Sequence, residues 1–149
     1  MLTVVVGALI YLLAIYDNLD AARAKSAEQW RACASELDQD YRKVESLNPE
    51  QSGVTDQWLK QFKADADQFR TATNIETQVS FAVKLEEALG QNATSLATNL
   101  PASSGTLRQN IKSFNECVGE EAAILNSRSG RFLHTILPVP KRQPLELSR

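Results

Sequence analysis

The chain has 149 residues, with 16 lysines and arginines against 18 aspartates and glutamates, a formal charge of −2. Near-neutrality argues against a dedicated nucleic-acid binder, whose domain is usually basic, and 43% hydrophobic with 23% charged residues excludes extended disorder. Six glycines and five prolines exclude collagen-like and low-complexity readings, so one mostly helical domain with a modest core is expected.

Leu2 to Tyr16 reads LTVVVGALIYLLAIY, a run without a charge. As a helix of 15 residues it rises about 22 Å, short of the roughly 30 Å hydrocarbon core of a bilayer. Helix continuing from Met1 to Leu19 in a slightly thinned bilayer, or a natural start further upstream, makes up the difference. The expectation is a transmembrane anchor over residues 1–18, with the lipid bilayer as partner through residues 2–16. A cleaved signal peptide competes poorly, because no basic region precedes the run; a buried core helix is the other alternative.

Beyond the anchor, Leu19, Ala22, Ser26, Trp30, Cys33, Leu37, Tyr41 and Val44 recur at steps of three and four, the seam of an amphipathic helix ending near Leu47. Asn48-Pro49 and Ser52-Gly53 then break the chain. Thr55 or Asp56 caps a second helix with a stripe of Trp58, Leu59, Phe62, Ala66 and Phe69, expected to end near Arg70. Thr71 to Asn74 caps a third, with Ile75, Val79, Ala82, Val83, Leu85, Leu89 and Leu96 as core candidates, weakened after Gly90 and closed by Pro101 and Ser103-Ser104-Gly105. The fourth helix carries Leu107, Ile111, Phe114, Val118, Ala122 and Leu125, with Gly130 as its C-terminal cap and Arg128 suiting the negative end of the dipole. Together these predict an all-α chain: an N-terminal membrane anchor helix running into an antiparallel up-down-up-down four-helix bundle over residues 19–128, then a basic, proline-containing C-terminal tail over 129–149.

That tail, counted from residue 128, holds five bases against Glu146 and leaves the rest of the chain acidic. In an up-down-up-down bundle it starts at the end where the first helix leaves the membrane. Its run Phe132-Leu133-His134-Thr135-Ile136-Leu137, flanked by Pro138 and Pro140, fits either an interfacial contact with anionic headgroups or a hydrophobic strap over the open end of the bundle. Phe132, Leu133, Ile136, Arg131, Lys141 and Arg142 are the residues expected to touch membrane or partner. Arg23, Lys25 and Arg31 follow the apolar run, which favours a cytoplasmic bundle.

Chemistry-bearing residues are sparse. His134 is the only histidine, so neither a multi-histidine metal site nor a serine-type triad can be built within one chain. No catalytic residue, metal site or cofactor is expected. The pairs Asp65/Asp67, Glu86/Glu87 and Glu120/Glu121 read more readily as solvated helix faces than as a carboxylate site. Asn115, beside the seam position Phe114, is expected to need partners for its amide and to set register between the first and last helices, with a ligand contact as the alternative. Cys33 and Cys117 lie at comparable heights, so a disulfide between them is conceivable in an oxidising compartment; on the cytoplasmic side both are small buried hydrophobes.

The run YLLAIYDNLDAARAKSAEQW, an apolar anchor leading straight into a helix with Tyr16, Leu19 and Trp30, resembles the opening of the LemA family. Downstream, IKSFNECVGEEAAILNSRSGRFL resembles that family's last bundle helix, with Phe114, Asn115 and Val118 in its aromatic-Asn and Val positions, and Lys141 to Leu147 resembles its basic, proline-containing ending. Phe114 stands where Tyr is usual, Asp17 where Asn is usual, and VESLNPEQSGVTDQWL replaces the Ile-Pro-Asn-Leu-Val segment after the first helix. The resemblance implies a membrane-anchored four-helix bundle, commonly cytoplasmic, with no catalytic residues. A structural or interaction module holding a membrane-associated protein partner is therefore the expected role, and an extracytoplasmic four-helix ligand sensor is the alternative.

Overall fold

A computed structural model describes residues 2–97, 103–137 and 139–148, with the side chains of residues 2–5, 8, 9 and 51 outside the description. Seven helices and no strands are found among the described residues: α1 (Leu2–Glu45), α2 (Pro49–Ser52), α3 (Asp56–Thr71), α4 (Ile75–Gln91), α5 (Ala93–Leu96), α6 (Gly105–Asn126) and α7 (Arg128–Ile136). The anticipated closure of the third helix at Pro101 falls outside the described residues; α4 instead ends at Gln91, and a single turn of α5 follows.

Helix starts follow the capping chemistry of their sequences. Thr55 Oγ1 accepts from Trp58 N at 3.2 Å, Asn74 Oδ1 from Thr77 N at 2.7 Å and Ser104 Oγ from Leu107 N at 3.0 Å, each satisfying an amide that the first helical turn leaves without a partner. The short α2 is stopped by Gly53, whose φ of 71° is left-handed backbone that glycine adopts without strain.

Cross-helix pairs give the direction of each element. Ser26 reaches Glu121 while Glu36 accepts from Asn110, so α1 and α6 are antiparallel. Tyr41 meets Phe62 while Trp30 meets Phe69, so α3 descends beside α1. Arg23 meets Glu76 and Trp30 meets Gln78, so α4 rises with α1. All eight residues of the α1 seam from Leu19 to Val44 are buried. Trp30 and Phe114 centre the core with ring centroids 5.0 Å apart, Phe69 packs edge-on to Trp30 at 6.4 Å, and the indole N–H donates to Gln78 Oε1 at 2.6 Å.

Two expectations for the last helix are corrected. Ala122 is exposed and Glu121 is buried instead. From Val118 the seam steps by three and then by four to Leu125, because Glu121 has a charged partner inside, Arg142. Gly130 is not a cap: α6 ends at Asn126, Ser127 caps α7 through Gly130 N at 3.0 Å, and Gly130 is buried inside α7. A Cβ there would fall 1.9 Å from the carbonyl oxygen of Ile124, so only glycine lets α7 fold back so tightly onto α6.

Among the described residues no helix is long and apolar enough to cross a membrane. Six of the fifteen residues between Leu2 and Tyr16 have side chains outside the description. Those described in full at Val6, Ile10, Tyr11, Leu13 and Tyr16 are exposed, and Ile15 and Leu19 pack in the small core formed with α6 and α7.

Phe114→Ala is expected to lower the free energy of unfolding by about 3–5 kcal/mol, whereas Ala122→Gln changes it by less than about 0.5 kcal/mol. Urea titration followed by helical circular dichroism measures both. Equal sensitivity at the two positions would restore the regular seam and overturn the burial of Glu121.

Candidate functional site

The feature that organises polar side chains is the C-terminal segment. After α7 the chain does not stay at the bundle base but runs back up between α4 and α6. Its hold begins where Arg23 Nη1 donates to the carbonyl of Pro140 at 3.0 Å. Two residues on, Arg142 turns inward and its side chain is only 6% exposed. Its Nε donates to Glu76 Oε1 at 3.2 Å, and its Nη1 reaches Glu121 Oε1 at 3.0 Å, the carbonyl of Arg23 at 2.9 Å and the hydroxyl of Ser26. Ser26 in turn donates to Glu121. Arg23 Nη2 shares Glu76 Oε1 at 2.6 Å, so two guanidinium groups balance two carboxylates in one cluster, buried at Arg142 and Glu121 and half-buried at Arg23 and Glu76.

Three residues further, Leu145 drops into the main core, and Asn115 grips its backbone from both sides: Nδ2 donates to the carbonyl at 2.7 Å and Oδ1 accepts from the amide at 2.9 Å. The spacing has a geometric cause. Six residues of α6, from Asn115 to Glu121, rise about 9 Å. Three nearly extended residues, from Arg142 to Leu145, cover about the same distance. At the far end Ser148 donates from its amide at 3.1 Å and its hydroxyl at 3.0 Å to Glu86 Oε2 on α4. Two carboxylate oxygens, Glu86 Oε1 and Glu121 Oε2, are buried without a partner among the described residues.

These contacts redistribute the expected site residues. Arg142 and Leu133 are buried, the first in the ion cluster and the second against Leu19 and Leu125, so neither is available to lipid or a partner as anticipated. Phe132, Ile136, Arg131 and Lys141 are exposed. Of the family-like positions, Trp30, Phe114 and Val118 lie in the main core, Leu19 in a smaller core at the base with Leu125 and Leu133, and Tyr16 on the surface. Asn115 does set register, but of the C-terminal segment and not of α1. His134 is structural, its Nδ1 accepting from Val139 N at 3.2 Å.

Glu76, Glu86, Glu121, Arg23 and Ser26 were not expected to act together. The two buried acids belong to pairs that read as solvated faces. The available signal was Ser26, a small polar residue in an otherwise apolar seam, which needs a buried partner on the facing helix. Asp67 is exposed and Asp65 half-buried, and Glu120 pairs with Lys25 at 3.3 Å.

A second charged group sits between α1 and α3, where Arg70 binds Asp38 at 2.5 Å and Glu45 at 2.9 Å. Burial pushes the Asp38 carboxyl up, but hydrogen bonds from Arg70 and Arg42 outweigh it and hold the group below its ordinary 3.8. Both cysteines are buried free thiols, and burial pushes Cys33 up to about 12 and Cys117 upward as well. Neither behaves as a reactive thiolate near neutrality. Among the described residues no cluster of histidine, cysteine or carboxylate side chains is arranged to hold a metal ion.

Compared with known proteins, the chain matches no family model, no curated protein and no solved structure.

Arg142→Ala is expected to destabilise the fold by about 3–5 kcal/mol, because it strands the buried charge of Glu121. Combining Arg142→Met with Glu121→Leu recovers most of that loss, and thermal melts of the variants compare the two. A double variant no more stable than the single one would remove the ion pair from its central place. The depressed Asp38 contributes stability that is fully present above its ordinary 3.8 and is lost as the pH falls through its lower folded-state value. Arg70→Ala should flatten that part of an acid-unfolding profile; an unchanged acid limb would refute the assignment.

Proposed function

We propose that the chain is a membrane-anchored helical bundle, with residues 2–16 in the bilayer and the bundle on its cytoplasmic side, working as a structural or protein-interaction module at the lipid surface. The observation that carries this reading is the apolar character of one end of the molecule. Ile10 and Leu13 of α1 are 62% and 61% exposed, and Phe132 and Ile136 of α7 are 56% and 57% exposed. Tyr11 Oη and Ser129 Oγ share a hydrogen bond at 3.0 Å, which ties α7 to the apolar turns of α1.

The exposed face of α7 groups Phe132 and Ile136 with Arg128, Arg131 and Thr135, while Gly130 and Leu133 face the bundle. Apolar side chains flanked by arginines suit the boundary between acyl chains and anionic headgroups. Arg131 and Lys141 keep the contact role expected of them, and Arg142 and Leu133 do not. The resemblance to the LemA family, with Arg23, Lys25 and Arg31 after the apolar run, supports the cytoplasmic side. The partner is a membrane-associated protein held by the exposed flanks of the bundle.

Membranes from cells expressing the full chain are expected to retain it through an alkaline carbonate wash, and an impermeant protease should digest the bundle only after lysis. Ile10→Lys with Leu13→Lys moves the protein to the supernatant with its helix content unchanged. Phe132→Glu with Ile136→Glu leaves it anchored but opens Arg128 and Arg131 to trypsin at least ten-fold faster on anionic vesicles. Wild-type protein released by carbonate would overturn the anchor, and digestion in intact cells would reverse its sidedness.

A further inference from the structure

The groove between α4 and α6 has the attributes of a recognition site as well as those of a core. Its acidic end, formed by Glu76, Glu121 and Ser26, accepts a guanidinium. Its centre is an apolar hole that takes a leucine, with Asn115 reading the backbone amide and carbonyl of that residue. Its far end is Glu86, which reads one more backbone amide and has a buried oxygen without a partner among the described residues. Main-chain hydrogen bonds that give affinity, alternating with side-chain pockets that give selectivity, are the way proteins bind extended segments. A buried ion pair adds little stability over an apolar replacement, so its effect here is selection of arginine at one place.

We propose that this groove is a docking site for an extended segment carrying an arginine three residues ahead of a leucine, and that its occupant in trans is residues 140–148 of a second copy of this chain. Arg142-x-x-Leu145 is the single Arg-x-x-Leu in the sequence. Among the described residues the segment's hydrogen bonds to the bundle come from Pro140, Arg142, Leu145 and Ser148, and Leu147 packs on the main core, so a reciprocal exchange between two copies remakes the same contacts. The hinge is well placed, because Val139 stays fixed to its own chain through His134 and the small basal core while exposed Pro140 begins the mobile arm. Within one chain the short link gives the segment an effective concentration on the order of millimolar. Exchange therefore populates where copies are crowded to that level, and it does not depend on residues 2–16 entering lipid.

Two differently tagged full-length copies, co-expressed, test the exchange. One has an intact groove and a defective arm (Arg142→Ala, Leu145→Asp); the other has an intact arm and a defective groove (Asn115→Ala, Glu121→Ala). The mixed pair should co-purify at least ten-fold more than either variant with itself, and no enrichment between folded copies overturns the proposal. Because either variant can fail to fold, a fluorescein-labelled peptide of residues 139–149 is also titrated into the wild-type full chain. Displaceable binding, at least ten-fold weaker for the peptide with Arg142→Ala, is expected; no displaceable binding at about 1 mM peptide, the effective concentration it competes with, overturns the docking site. Peptide binding without co-purification of folded copies rejects the second copy as occupant and leaves the groove to a foreign Arg-x-x-Leu segment.

Discussion

Two carboxylates facing one gap are the constraint on which this bundle depends. Glu76 on α4 and Glu121 on α6 point into the space that a conventional fourth interface would fill, and two like charges there repel each other. Arg142 resolves the conflict from outside the bundle by arriving on the C-terminal segment, with Arg23 completing the neutral cluster. Position 121 must then face inward, which shifts the α6 seam, and Ser26 must be small enough to admit the guanidinium. The segment that delivers Arg142 is thereby pinned between α4 and α6, and its leucine completes the core that the helices leave open.

Most of the helical frame could be read from the residues, because it follows local rules. The α1 seam from Leu19 to Val44, the stripe from Leu59 to Phe69 and the caps at Thr55, Asn74 and Ser104 are set by periodicity and by hydrogen bonds within one turn. The ion cluster is not local. It joins residues 21 to 119 positions apart, and nothing at position 121 or 142 alone announces the other. Hydropathy preferred Ala122 to Glu121 as the seam residue, and it is silent about a carboxylate that brings its own cation. The tail's basic character pointed toward lipid, whereas its central arginine is consumed inside the fold, while Arg128, Arg131 and Lys141 are exposed.

Asn115 shows both the reach and the limit of such reading. An amide beside a core aromatic must be satisfied, so a structural role followed from its neighbourhood. Its partner, the backbone of Leu145, lies thirty residues away in a segment without helical periodicity. The base of the molecule is governed differently: Gly130 lets α7 fold against Ile124, and Leu19, Leu125 and Leu133 close a second, smaller core there. The molecule thus has a polar lock along one flank and an apolar clasp at one end, made by consecutive parts of the same tail.

The first helix runs from Leu2 to Glu45 with no proline within it. At 1.5 Å per residue its 44 residues form a rod of about 66 Å. A rod without a hinge transmits torque as well as position. Whatever grips its first turns also sets the compass bearing of every face above them, the flank bearing the tail included. A single residue inserted near Asn18 would turn that flank by about 100° and lift it by about 1.5 Å. The direction in which the bundle looks along a surface is therefore encoded in the length of α1, independently of how tightly that surface holds it.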